Sequence, residues 1–173
     1  IRLPDKFLWG LFRSTGIAVN MLLRAVAARE TNASDAEIKP RRQVAALPFV
    51  RQKDGLQVLL VTSRETGRLV LPKGWTEKGM KDSAAAALEA FEEAGVKGNV
   101  SGKPIGSYNY TKIIGPGFAL PCMVEVYPLE VKKHMKDWPE KSQRERLWMS
   151  PSEAANRVAE PALAEILRRF KPN

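Results

Sequence analysis

The chain has 173 residues, of which 44% are hydrophobic and 27% are charged, a balance typical of one globular domain with a terminal appendage. A formal net charge of +9 and a pI near 9.8 favour polyanionic partners: phosphorylated small molecules, anionic lipid head groups or nucleic acid. The single cysteine, Cys122, excludes an internal disulfide, and with the single histidine, His134, it excludes the usual zinc-ligand spacings. Oxygen atoms are therefore the expected ligands of any metal.

Residues 1–40 are predicted to form a helical appendage followed by a polar linker. Apolar residues mixed with arginines indicate one or two short helices, with a break near residues 14–16. The pattern favours a helix packed on the domain or on a second subunit, so a homodimer is one expectation; a basic membrane-surface helix is the alternative. Arg13 and Arg24 interrupt the most apolar stretch, so no transmembrane segment is expected, and the expected location is the cytoplasm.

Residues 41–173 are predicted to form one domain of strands and helices. Runs rich in β-branched residues predict strands at residues 44–50, 56–62, 68–71, 105–110 and 119–129 and near Trp148. One helix can be capped by Asp82 or Ser83, continues through an alanine-rich run and stops at Gly95. A second helix, residues 161–170, closes the chain. The mixture indicates an α+β fold.

Three glutamates near the end of the first predicted helix are the candidates for chemistry. Glu89, Glu92 and Glu93 are three and four residues apart, which places them on one helix face. Such a row is most often a solvated surface, but like charges at this spacing repel, and a bound divalent cation would explain them. Oxygen ligands suit Mg²⁺ or Mn²⁺, which activate water and neutralise phosphate charge.

The sequence around these glutamates resembles the Nudix box. That pattern runs Gly, five residues, Glu, seven residues, Arg-Glu, an aliphatic residue, any residue, Glu-Glu, any residue, Gly, and an aliphatic residue. Six positions are in register, namely Gly74, Glu89, Glu92, Glu93, Gly95 and Val96. Met80 and Leu88 stand where the pattern has its first Glu and its Arg. In the family that Arg helps to orient the carboxylates, so a catalytically silent descendant is an alternative.

The resemblance covers most of residues 41–170 and is greatest to the diphosphoinositol polyphosphate phosphohydrolases. Four segments carry it, at residues 41–46, 58–64, 92–98 and 144–148. It implies the Nudix fold, an α/β/α sandwich around a mixed β-sheet. It also implies that Glu92 and Glu93 are metal ligands and that Glu89 is a ligand or a general base. The Gly74 carbonyl is a further candidate ligand.

Four basic residues at matching positions are predicted to bind phosphate, and we call them the clamp residues: Arg41, Arg42, Arg64 and Lys73. Arginine suits this role because its planar guanidinium makes paired hydrogen bonds to phosphate oxygens. Lys112 is a weaker candidate. Three aromatic residues either stack on a nucleobase or contribute to packing: Trp75, Tyr108 and Tyr110.

Three functions follow from these patterns. The first is a metal-dependent hydrolase that cleaves a pyrophosphate linkage in a substrate such as a diphosphoinositol polyphosphate or a dinucleoside polyphosphate. The second is a Nudix-fold module that binds a phosphorylated ligand without turnover, which the losses at Met80 and Leu88 favour. The third, nucleic-acid binding, rests on charge alone, so no dedicated nucleic-acid site is expected.

Overall fold

The computed structural model describes residues 39–115 and 117–172, which contain eight strands and three helices. In chain order these are β1 (Arg41–Gln52), β2 (Gly55–Thr62), β3 (Leu69–Val70), β4 (Lys73–Trp75), α1 (Asp82–Ala94), β5 (Val96–Val100), β6 (Gly106–Gly115), β7 (Phe118–His134), β8 (Arg146–Met149), α2 (Pro151–Arg157) and α3 (Pro161–Arg169). The helical part of the predicted appendage, and the homodimer contact expected through it, lie outside these residues. Within the described ranges, no helix has the length and apolar character needed to cross a bilayer.

Strand β1 is the centre of an eight-stranded mixed sheet. It pairs in parallel with β7, from Arg41 opposite Cys122 to Phe49 opposite Glu130, and antiparallel with β2 and β4. Strand β7 in turn pairs antiparallel with β5 and with the edge strand β6, while β3 and β8 extend the sheet from β2. The parallel pair at the centre makes the sheet mixed, as the resemblance implied.

Helices cover both faces of this sheet. Successive β1 side chains point to opposite faces, so Val44 and Ala46 pack under α1, whereas Ala45 and Leu47 pack under α2 and α3. A strand covered on both sides is apolar along its whole length, which explains why residues 44–49 are all buried. The predicted α/β/α sandwich is therefore the observed architecture.

Three elements were missing from the predicted set: the short strand β4, strand β5 and helix α2. Strand β5 begins directly after Gly95, but its Lys97–Asn99 centre is exposed and polar, so its sequence carries little strand signal. Helix α2 begins at Pro151, and the Ser150 hydroxyl accepts a hydrogen bond from the Glu153 N–H at 3.2 Å. Serine followed by proline is a common helix start, so this second signal was present in the sequence.

The start of α1 differs from the prediction, and its end agrees with it. Lys81 is the N-cap residue and no side chain caps the helix; Asp82 is instead the first helical residue and binds Arg42 at 2.8 Å. An acidic side chain in the first turn still interacts favourably with the helix dipole. Gly95 ends the helix in a left-handed conformation with φ of 61°, which glycine adopts without strain. The three glutamates consequently lie in the last two turns.

Candidate active site

A cavity of about 480 Å³ lies where the last turns of α1 meet β3, β4 and β6. It brings together six of the predicted site residues, Arg64, Lys73, Gly74, Glu89, Glu92 and Glu93. The two remaining clamp residues, Arg41 and Arg42, do not line it. The predicted metal-binding positions therefore share one place, while the predicted clamp is divided.

Glu89 packs directly against the backbone of β4. A Cβ atom placed on Gly74 would collide with the Glu89 carboxylate, so a side chain at this position would displace that carboxylate from the β4 backbone. Burial, followed by the charges of Glu93 and Glu92, raises the pKa of Glu89 to about 7. A carboxyl group that titrates near neutral pH is suited to accept a proton during a reaction.

Glu93 is buried and both of its carboxylate oxygens have partners. One oxygen accepts a hydrogen bond from the backbone N–H of Lys73 at 3.2 Å, and the other pairs with the Arg144 guanidinium. Burial raises the pKa of Glu93, against the opposing charges of Arg144 and Lys73. Burial also lowers the pKa of Lys73. Residues of strand β4, helix α1 and the loop before β8 therefore meet at the Glu93 carboxylate.

Four further charged residues line the cavity that sequence reasoning did not select: Glu65, Arg68, Glu140 and Arg144. Arg68 pairs with the buried Glu160 at 3.1 Å. Glu140 bridges two arginines, accepting from Arg144 at 2.6 Å and from Arg64 at 3.4 Å. The one sequence signal for Arg144 was its place in the family-like segment 144–148, and no sequence signal pointed to Glu140.

The clamp residues outside the cavity have different surroundings. The Arg41 guanidinium lies 4.5 Å from the centre of the Trp75 ring, and the Lys112 ammonium lies 5.0 Å from that same ring. Trp75 and Lys112 both line the cavity, so Arg41 stands at its rim. Arg42 instead binds Asp82 at 2.8 Å and Glu125 at 2.6 Å, and these carboxylates raise its pKa.

The remaining candidates divide between the cavity and the core. Tyr110 lines the cavity and donates a hydrogen bond to Gln43 at 2.7 Å, whereas Tyr108 is buried within the core and has no face open for stacking. Cys122 is buried, and the His134 ring packs 5.6 Å from that of Trp148. Packing accounts for Tyr108 and Cys122, whereas His134 is exposed and lies outside the cavity.

The donor atoms around Glu89 match the chemistry of Mg²⁺ or Mn²⁺, which prefer carboxylate and carbonyl oxygens. The clustering of Glu89, Glu92 and Glu93 around the cavity, and the absence of a side chain at Gly74, are both consistent with a cation here. Even so, no three acidic, histidine or cysteine side chains among the described residues stand in a ready-made metal-binding arrangement. Rotation of the Glu89 and Glu92 carboxylates would therefore have to accompany metal binding.

The family model of the NUDIX domain matches residues 39–170, which include the whole sheet, all three described helices and the cavity. The chain belongs to the Nudix family. Its α+β fold is the Nudix fold, as the box and the predicted strands had indicated.

Individual relatives agree with this assignment. The chain is 36% identical over 126 residues to Nudix hydrolase 13, mitochondrial, of Arabidopsis thaliana, covering 65% of this chain and 60% of that protein. It is 28% identical over 135 residues to diphosphoinositol polyphosphate phosphohydrolase 3-beta of Bos taurus, covering 76% and 78%. A C. elegans Ap4A hydrolase binary complex has the same fold, with a TM-score of 0.56, 16% identity and coverage of 75% and 94%. The chain thus spans less than two thirds of the plant relative.

Proposed function

We propose that this Nudix chain hydrolyses a pyrophosphate linkage in a polyanionic substrate with the aid of a divalent metal. The convergence of the three α1 glutamates with Gly74, Lys73 and Arg64 around one cavity carries this proposal. Carboxylates beside cationic side chains are what phosphoryl transfer needs, because the reaction depends chiefly on positioning and on charge stabilisation.

Mg²⁺ or Mn²⁺ is the proposed cofactor, held by Glu92, Glu93 and Glu89 with the Gly74 carbonyl as a further ligand. When bound, it would supply neutralisation of phosphate charge and a more acidic water. Glu89 accepts the proton of the attacking water, a role supported by its place in the cavity beside Glu92 and Glu93. The water oxygen forms a bond to phosphorus as the bridging phosphorus–oxygen bond breaks.

Basic residues hold the phosphates. Arg64 and Lys73 line the cavity and are proposed to bind the reacting phosphates, with Lys112 and Arg41 at the rim for more distant ones. Because the Trp75 ring already contacts Arg41 and Lys112, it is poorly placed to stack on a nucleobase. This favours a compact polyphosphate substrate, and a bovine relative is named a diphosphoinositol polyphosphate phosphohydrolase.

The proposal is tested by measuring phosphate release from a substrate panel. A diphosphoinositol polyphosphate, a diadenosine polyphosphate and inorganic polyphosphate would each be incubated with Mg²⁺ or Mn²⁺, with EDTA as the control. We expect metal-dependent release that is fastest with the diphosphoinositol substrate. Equal rates in EDTA would refute the metal, and faster release from the diadenosine substrate would refute the substrate preference.

Binding without turnover is the second candidate. The occupied oxygens of Glu93, together with the absence of a preassembled metal site among the described residues, favour it. In that case calorimetry would detect tight binding of the diphosphoinositol substrate while phosphate release stayed at the buffer rate. Measurable turnover would dismiss this candidate.

A cytoplasmic location remains a proposal. Nudix hydrolase 13 carries the word mitochondrial in its name, so a mitochondrial location is the obvious competitor. Fractionation of cells that express the tagged full-length protein would separate these two compartments.

A further inference from the structure

Helix α1 supplies three glutamates to the cavity but no cation of its own. Between Asp82 and Ala94 the sequence contains no lysine, arginine or histidine, and Leu88 occupies the position at which the box has its arginine. Burying a carboxylate without a cationic partner costs free energy of folding, so the cation that pairs with Glu93 has to come from another element. This cation is Arg144, whose side chain is 6% exposed and pairs with a Glu93 side chain that is 7% exposed.

The guanidinium of Arg144 is held in three directions. Its Nη2 donates to Glu93, its Nε donates to Glu140 at 2.6 Å, and its Nη1 donates to the backbone carbonyl of Thr62 at 3.0 Å. The five N–H donors of arginine lie in one rigid plane, so three fixed acceptors determine both its position and its tilt. The oxygen of Glu93 that meets Arg144 is consequently fixed as well.

The segment that carries Arg144 is tied to the same helix. The N–H of Glu140 donates to the Glu92 carbonyl at 3.0 Å, and the Arg146 guanidinium donates to the Ala94 carbonyl at 3.1 Å. These carbonyls belong to the last turn of α1 and have no partner within the helix, so the segment completes the end of the helix. Arg144 and Glu93 are therefore fixed relative to one another through backbone contacts.

We infer that Arg144 is the positioning residue for Glu93, holding this carboxylate so that the oxygen that accepts from the Lys73 N–H can offer its second lone pair to a divalent cation beside Glu89. With its side chain almost fully buried, Arg144 has little surface left to offer a phosphate, although it borders the cavity. The inference rests on the proposed metal-dependent function.

Two variants of Arg144 and one matched control test this inference. Arg144→Leu removes the charge, and Arg144→Lys keeps the charge but loses the rigid three-way contact. Arg146→Leu loosens the same segment without touching Glu93. For each protein the Mn²⁺ affinity would be measured by titration calorimetry without substrate, followed by kcat, KM and the melting temperature.

We expect Arg144→Leu to weaken Mn²⁺ binding and to lower kcat by roughly 10–100-fold, the range found when a residue supporting a metal ligand is removed. KM should change little, and Arg144→Lys should fall between Arg144→Leu and the wild type. Arg146→Leu should lower the melting temperature while keeping the wild-type Mn²⁺ affinity. If Arg144→Leu fails to fold, Arg144→Lys still tests the inference, because its Mn²⁺ affinity should be lower than that of the wild type.

Three results would overturn the inference. Unchanged Mn²⁺ affinity with a KM that rises with phosphate number would make Arg144 a substrate contact. An equal loss in Arg146→Leu would mean that the segment acts only as a scaffold. Wild-type protein that binds no Mn²⁺ would remove the ligand that Glu93 is said to hold. By contrast, wild-type protein that binds Mn²⁺ but hydrolyses no substrate would refute the proposed function alone.

Discussion

The two faces of the sheet are covered by helices of different kinds. Helix α1 packs through small side chains, Ala85, Ala86, Ala90 and Ala94, whereas α3 and the residue after it pack through Leu163, Leu167 and Phe170. Alanine lets a helix lie close to a sheet, and this close approach puts the Glu89 carboxylate against the backbone of Gly74. Larger side chains bury more apolar area and stabilise the fold more.

The comparison shows that the residues of the candidate active site and the large side chains of the apolar core lie in different layers of the fold. The α1 layer carries carboxylates whose burial, and secondly whose mutual repulsion, oppose folding, as the raised pKa of Glu89 indicates. The α2 and α3 layer contributes apolar burial and no residue to the cavity. Substitutions in the two layers should therefore change different measured quantities.

The largest combined effect is expected from Glu93→Gln. Turnover should be abolished, because an amide is a poor ligand for a hard cation. The free energy of unfolding should fall by about 1–3 kcal/mol, because the buried Arg144 would lose one of its two carboxylate partners and keep only Glu140. Helix charge alone would predict that stability holds or rises, since one like charge is removed. Urea unfolding with a parallel phosphate-release assay decides, and a variant as stable as the wild type would contradict the importance of the ion pair.

Leu167→Ala tests the opposite layer. Leu167 is fully buried, so its truncation should cost about 2–5 kcal/mol of unfolding free energy. We expect kcat to stay near the wild-type value at a temperature where the variant is still folded. Thermal melts would set that temperature before the assay. A large loss of kcat in folded protein would mean that the two layers are coupled.

Arg64→Ala and Arg42→Ala divide the predicted clamp. Arg64 lines the cavity, and losing one charged hydrogen bond of about 1.5 kcal/mol should raise KM about tenfold. Arg42 faces Asp82 and Glu125, so Arg42→Ala should leave KM nearly unchanged and cost up to about 1 kcal/mol of stability. Kinetics at low and at high salt would measure both. Equal increases in KM for the two variants would show that Arg42 also binds the phosphates of the substrate.

Glu89 makes the stability of the α1 layer depend on pH in metal-free protein. Its pKa is about 7 in the folded protein against an ordinary value of 4.5, so between these values the folded state binds more protons than the unfolded state. Stability should therefore fall as pH rises from about 4.5 to about 7 and change no further above that range. Glu89→Gln should flatten this dependence. Melts across this pH range in EDTA test it, and an unchanged slope in the variant would exclude Glu89 as the cause.

The sequence predicted those parts of the fold that depend on local patterns. The apolar runs of β1 and β2 and the alanine-rich α1 with its Gly95 stop appear where they were expected. Strand β5 was missed because its structure comes from pairing with β7, and its exposed polar centre carries no alternating pattern. Tertiary pairing can impose a strand on such a sequence.

The site divides in the same way. Helical spacing was enough to place Glu89 and Glu93 together, because residues close in sequence are close on a helix. The partner of Glu93 lies 51 residues further along the chain, so no local pattern could identify Arg144. The carboxylates that hold Arg42 are likewise 40 and 83 residues away, and this is why a basic residue in a family-like segment did not reach the cavity.

The smallest effect is expected from restoring the two missing box residues through Met80→Glu with Leu88→Arg. If Glu and Arg pair, the double variant should exceed the sum of the single effects by about 0.5 kcal/mol or slightly more. Leu88→Arg alone should lower stability, because it brings a charge to a half-buried position on α1. Turnover should stay within about twofold of the wild type in the double variant, since an arginine that supports the metal ligand is worth 10–100-fold only where that support is missing.

In this protein Arg144 already contacts Glu93, so an arginine at position 88 would not be needed to hold the Glu93 carboxylate. Unfolding midpoints and metal-dependent rates of the four proteins would measure both expectations. A tenfold gain in rate from the double variant would show that the box Glu and Arg have a catalytic role that Arg144 does not replace. Strict additivity of the two stability changes would instead mean that positions 80 and 88 do not touch.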